Sequence, residues 1–160
     1  MNLFIFPYQS DNFYTSPDTA LCREESASGL LKYYVPDTIE TLRAVPFAYV
    51  RISRAGKCIR EEYAHSHYVS CGWGVHLCSY DVNEGNTLDN SFFLSEATEI
   101  GDDYQGFDFF DTALQRASEF MSLRSGDLVI LELEDICAVE VEQGQTKTVS
   151  YRDRQIEIIC

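Results

Sequence analysis

Apolar and polar positions change rhythm several times along the 160 residues of this chain. Residues 2–6 (NLFIF) are an apolar run of strand length, and a Ser-, Asp- and Pro-rich stretch through Asp18 reads as a loop. Residues 45–53 (VPFAYVRIS) alternate as a half-buried strand does, and Ala55-Gly56-Lys57 supplies a turn. Residues 60–68 (REEYAHSHY) suit a short helix. Residues 69–80 (VSCGWGVHLCSY) are β-branched and aromatic, with Gly72 and Gly74 marking a bulge or a close approach of neighbouring groups. A loop at 83–89 (NEGNTLD) and a short strand at 91–94 follow. Asp111 is placed to cap a helix running to about Met121, with Ala113, Leu114, Ala117, Phe120 and Met121 on one face. Ser125-Gly126 ends it, LVILELE (128–134) continues as a strand, and 136–142 and 147–159 read as final strands. Strands dominate, with one or two helices: a single α+β domain, mostly β, spanning 1–160.

Charge narrows the classes of partner. The formal net charge is −14 and the twelve basic residues are scattered, which excludes a nucleic-acid surface built on clustered Lys and Arg. The acidic surplus reads as a solubility device. No apolar run approaches the roughly 20 residues of a membrane span. MNLFIFPYQS carries no basic n-region or small-residue cleavage site, so no membrane association is expected and the cytoplasm is the expected location. The six cysteines are irregularly spaced and form no CxxC, which points to free buried thiols rather than a disulfide framework.

Three stretches together resemble the fumarylacetoacetate hydrolase family in its single-domain bacterial form. PDTAL at 17–21 is similar to an early K-P-x-T-A-L-type segment. YVRISRAGKCIREEYAHSHYVSCGWGVHLCSYD at 49–81 resembles the central block that runs through a G-K turn and a short helix into a strand ending A-R-D. FDFFDTALQRASEFMSLRSGDLVILELE at 107–134 resembles F-x-x-x-E-I-I-x-x-x-S-x-x-x-x-L-x-x-G-D-L-I-x-T-G-T-P. The resemblance implies a rolled mixed β-sandwich, usually homodimeric. It also implies a Mg²⁺ or Mn²⁺ ion that polarises a β-diketo or oxo acid for C–C cleavage, decarboxylation or isomerisation. Such an ion needs hard oxygen ligands, in this family a Glu-x-Glu pair plus an Asp.

Those ligands are missing. Carried through the G-K turn, the Glu-x-Glu positions fall on Val45 and Phe47, and the Asp falls on His76. The Arg of A-R-D becomes Tyr80, although Asp81 remains. The Lys of the family's K-x-F-D segment falls near Asn86, with LDNS at 88–91 standing for F-D-x-S, and T-G-T-P falls on Leu131 to Glu134. No His-and-Glu lid segment has a counterpart near the N-terminus. By strand alternation, Val45, Phe47 and Tyr49 share one face, and His76, Cys78 and Tyr80 another. If the faces meet as the resemblance implies, Val45, Phe47, His76, Cys78, Tyr80 and Asn86 line an ancestral pocket without an ion. Phe47 and His76 should then lie close together.

The expectation is a degenerate, non-catalytic homodimer with a binding, regulatory or structural role and no cofactor. The alternative is a metal-dependent enzyme of the same substrate class, with Mg²⁺ or Mn²⁺ and a rebuilt site around His76, Tyr80 and Asp81. Other readings rank lower. His65, His67, Cys71, His76 and Cys78 are the one cluster suited to zinc, but their spacing is not a standard zinc pattern. Cys78 with His76 lacks an orienting carboxylate, since Asp81 falls on the opposite face. Glu132 and Glu134 read as the solvent face of a strand, and Trp73 as a packing residue.

Overall fold

The computed structural model describes residues 1–22, 30–79, 87–101, 108–134, 137–152 and 154–160, leaving aside the side chains of 137 and 154. In chain order the elements are β1 (Asn2–Phe6), β2 (Tyr14–Pro17), a 3₁₀ turn (Asp18–Ala20), β3 (Leu30–Tyr34) and β4 (Thr41–Ile52). Next come α1 (Glu61–Ala64), a second 3₁₀ turn (His65–His67), β5 (Tyr68–Ser79), β6 (Phe92–Leu94) and β7 (Thr98–Glu99). The chain continues through α2 (Asp108–Phe120), β8 (Leu128–Glu132), β9 (Cys137–Glu140), β10 (Thr146–Tyr151) and β11 (Arg154–Ile159). One mixed, curled sheet follows the order β2-β1-β8-β4-β5-β6, with β7 beside β5 and β9 beside β4; β10-β11-β3 form a second. The fold is α+β, mostly β: a rolled mixed β-sandwich.

The long strand β4 organises the molecule because its two faces serve different cores. Leu42 and Ala44 pack with Leu77, Val75 and the second sheet's Leu31, Tyr33, Ile156 and Ile158. Farther along that face, Val50 and Ile52 meet Phe4, Val129 and the helix α2. The opposite face carries Phe47 and Tyr49, which join Leu3, Ile5, Leu21, Phe92, Leu128 and Ile130 in a third cluster inside the roll. β8 pairs with β1 on one side and β4 on the other. Both of its edges are therefore paired, and its faces are covered too, with Val129 in the cluster under α2 and Leu128 and Ile130 inside the roll.

The S-x-x-x-x-L-x-x-G-D-L segment has a structural account, residue by residue. α2 buries Phe110, Ala113, Leu114 and Ala117 at i, i+3, i+4 and i+7. Ser118 lies on that side and its Oγ accepts from the Ile59 amide at 2.9 Å, tying the helix to the segment after β4. Leu123 is buried. Gly126 turns the chain with φ +94°, a conformation that costs a side-chain-bearing residue dearly. Asp127 is buried, and its two oxygens accept from the backbone amides of Asn2 and Arg124, each at 2.8 Å. Charge-assisted bonds of this kind have about twice the strength of neutral ones. Asp127→Ala is therefore expected to destabilise the fold by about 3 kcal/mol, read as a shift in the urea midpoint at unchanged slope.

Several elements differ from the sequence expectation. The helix begins at Asp108, one turn before Asp111. Asp111 is not its cap: it is buried within the first turn and accepts from the Tyr68 hydroxyl at 2.9 Å. Phe120, the last helical residue, and Met121 stay exposed at 62% and 39%. Phe120 instead contacts Phe13 and the Arg116 guanidinium. The expected helix over 60–68 divides into one α turn and one 3₁₀ turn, β4 starts at Thr41, and β2 and β3 occupy stretches without an assigned strand. The expected buried thiols are less covered than the sequence suggests: Cys58 is exposed, and Cys22, Cys71, Cys78 and Cys160 are half-buried.

Candidate functional site

The candidate site is the inner face of the roll, where β4, β5, β6 and β8 lie side by side. Register fixes its occupants. Val45 pairs with His76, and Phe47 pairs with Gly74 on one side and Glu132 on the other. His76 pairs with Phe92, and Gly74 with Leu94. Paired residues of antiparallel strands share a face, so Val45, Phe47, Gly74, His76, Phe92 and Glu132 point the same way. Phe47 and His76 each meet the ring of Phe92. Its ring stacks on the His76 imidazole at 3.8 Å and lies 5.6 Å from the Phe47 ring.

The glycines of β5 exist for these rings. A Cβ on Gly74 would sit 2.3 Å from Phe47 Cζ and from the Phe93 carbonyl, and one on Gly72 would sit 2.6 Å from the Tyr49 ring. Close approach is the correct half of the sequence reading: the β4–β5 register runs unbroken through both glycines and shifts at Arg51/Ile52 instead. Tyr49 completes the filling and donates its hydroxyl to the Ser95 carbonyl at 2.9 Å.

One polar pair breaks this apolar surface. His76 Nδ1 lies 2.7 Å from Glu132 Oε1, with side-chain exposures of 3% and 11%. An ionised carboxylate only accepts, so beside it Nδ1 carries the hydrogen of this contact. Nε2 is buried and has no hydrogen-bond partner among the described residues. The solvent-facing assignment of Glu132 is therefore overturned. It continues the inner face of Leu128 and Ile130, and of the two carboxylates Glu134 alone is exposed. The sequence reading missed this carboxylate because LELE alternates like a half-covered strand, whereas β8 is a central one.

The other candidate residues divide clearly. Cys78 shares His76's side of β5, and its thiol points to the Arg43 carbonyl at 3.8 Å. Tyr80, Asp81 and Asn86 lie outside the described residues. The zinc candidates are not gathered: His67 Nδ1 is engaged with the Arg54 carbonyl at 2.8 Å in the 3₁₀ turn, and His76 is inside the roll. Burial pushes the Cys71 thiol upward, which disfavours its thiolate. Among the described residues, no three His, Cys, Asp or Glu side chains converge on a point. A hard divalent cation asks for several oxygen ligands. Val45 and Phe47 offer none, and Glu132 is already paired with an imidazole, so these residues do not fit Mg²⁺ or Mn²⁺. Trp73 packs edge-on against Tyr151 at 5.3 Å, under the Arg152 guanidinium, and joins the two sheets.

A curled mixed sheet with its inner face between β4, β5 and β8 defines the class: the fold of fumarylacetoacetate hydrolase-type proteins. Solved structures match it over 99% of this chain at low identity. One is a protein assigned to the fumarylacetoacetate hydrolase family from Yersinia pestis, 13% identical, with TM-score 0.66 and 91% of that chain covered. Another is a 5-carboxymethyl-2-hydroxymuconate delta-isomerase from Mycobacterium smegmatis, 11% identical, with TM-score 0.71 and 78% covered. A third is a fumarylpyruvate hydrolase from Pseudomonas aeruginosa, solved with Mn²⁺ and pyruvate, 13% identical, with TM-score 0.67 and 89% covered. No family model matches the sequence, and no curated protein does. No helix among the described residues is long and apolar enough to cross a membrane.

Proposed function

We propose that this protein keeps the fumarylacetoacetate hydrolase-type fold and has lost its metal-dependent reaction, acting as a cytoplasmic, homodimeric protein with a binding, regulatory or structural role and no cofactor. The observation that carries this reading is the state of Val45 and Phe47, 3% and 0% exposed, where the resemblance places two cation ligands. Buried carboxylates there would be costly without an ion to neutralise them. Aromatic and aliphatic side chains instead stabilise the inner face by apolar burial.

A second reading, favoured by the His76–Glu132 pair, is an enzyme acting on β-diketo or oxo acids through a rebuilt site. A carboxylate-oriented imidazole with a bare second nitrogen is the usual form of a general base. Tyr80 and Asp81 complete that reading. The test is turnover of acylpyruvates and oxaloacetate, with and without Mn²⁺. The proposal expects rates at the uncatalysed level under both conditions. Saturable turnover abolished by Glu132→Gln would establish the second reading instead.

A further inference from the structure

We propose that Trp73 and Tyr151 form a two-walled site for a small guanidinium compound, and that Arg152 fills this site from within the chain until such a ligand displaces it. The site lies across the sheet from the inner face, so it goes beyond the metal-free reading and does not depend on it. Gly72 and Gly74 face inward onto Tyr49 and Phe47, so Trp73 between them points outward. There its ring meets that of Tyr151, at the tip of the β10–β11 hairpin, at 5.3 Å and an interplanar angle of 72°. Two rings standing nearly at right angles leave a corner between them. The Arg152 guanidinium occupies it, with its central carbon 5.1 Å from the centre of the Trp73 ring and 5.5 Å from that of Tyr151.

Backbone and charge both single out this arginine. Tyr151 pairs with Arg154, so Arg152 opens a two-residue hairpin turn, and it takes φ +54°. Asn, Asp and Gly adopt that conformation readily, and arginine does not. The turn alone would favour one of those residues, so the arginine is there for its side chain. The chain carries 26 acidic against 12 basic residues, yet among the described residues Arg152 belongs to no ion pair. Its guanidinium faces two aromatic rings instead.

A corner that suits this guanidinium suits another. The faces of Trp and Tyr attract a cation through the ring quadrupole, Trp most strongly. A guanidinium, planar and weakly hydrated, also stacks on such faces where a compact ammonium does not. Trp73 and Tyr151 are only half-buried and Arg152 is exposed, so the plug can swing out to solvent without unfolding the hairpin. Exposed side chains change rotamer within nanoseconds. Arg152 therefore lowers the affinity of the corner and does not limit the rate of entry. The formal charge of −14 concentrates cations around the molecule as a whole.

The experiment follows the fluorescence of Trp73, the single tryptophan of the chain, while the intact protein is titrated with methylguanidinium chloride at constant ionic strength. Methylurea, uncharged and of nearly the same shape, is the control. Arg152→Asn removes the cation and leaves a residue that tolerates positive φ. Saturable binding to Arg152→Asn is expected, about tenfold tighter than to the parent, as for a corner that its plug fills about nine-tenths of the time. Methylurea should give no saturable change. Adding Tyr151→Leu to Arg152→Asn should weaken binding about tenfold, because one of the two walls is lost. Urea midpoints, expected to stay at the parent's value in Arg152→Asn, report on the fold. No saturable binding to Arg152→Asn overturns the proposal, as does equal affinity in the parent, equal binding of methylurea, or indifference to Tyr151→Leu. A urea midpoint that falls in Arg152→Asn, with no cation bound, makes Arg152 a clamp between the sheets and overturns it too.

Discussion

Phe47→Ala is expected to destabilise the protein by about 3–5 kcal/mol, the range for emptying a fully buried aromatic site. Phe47 is fully buried between Tyr49 and Phe92, with ring centroids 6.3 and 5.6 Å away, and lies over the bare backbone of Gly74. Three strands meet around it, so the hole cannot close by moving one loop. Gly74→Ala approaches the same contact from the other side. Its Cβ would overlap both the ring and the Phe93 carbonyl, and overpacking of this kind costs about 1–3 kcal/mol. Combining it with Phe47→Leu should recover part of that loss and not all, because the carbonyl stays in place. Urea denaturation of the two singles and the double gives the coupling directly. A Phe47→Ala protein within about 1 kcal/mol of the parent would show that the inner face is not packed as described.

Glu132→Ala should be almost as damaging, by about 3 kcal/mol or more, since it strands a buried imidazole whose other nitrogen is already bare. The informative comparison is the double substitution Glu132→Leu with His76→Phe. Removing both members of a buried polar pair and filling the space with apolar groups is often neutral or stabilising. The double variant is therefore expected to be more stable than Glu132→Ala alone, and close to the parent. If it folds well while every polar function of the face is lost, the pair is kept for what it binds rather than for stability. Equal destabilisation of the single and double variants would instead make the pair part of the fold's architecture.

Much of this arrangement was legible from residue order. Alternation over 45–53 and 69–80 located the two strands that carry the face, and parity alone put Val45, Phe47 and Tyr49 together. The S-x-x-x-x-L-x-x-G-D-L segment identified the fold because its residues have separate structural tasks: Ser118 as acceptor, Leu123 as core, Gly126 as turn and Asp127 as a double acceptor. What escaped depended on neighbours. β3 is five residues long and pairs in parallel with β11 near the other end of the chain, a partnership that no local period reveals. Asp111 looked like a cap because Asp often is one, but its partner is the Tyr68 hydroxyl. Glu132 was misplaced for a related reason. Alternation gives the side a residue points to, and only the sheet order says whether that side is wet.

The central claim is that the inner face has no place for the catalytic cation. The most direct test is equilibrium dialysis of the purified protein against Mn²⁺, with metal counted per chain for the parent and for His76→Ala. The account predicts no stoichiometric Mn²⁺ in either. About one Mn²⁺ per chain in the parent, lost in His76→Ala, would contradict it.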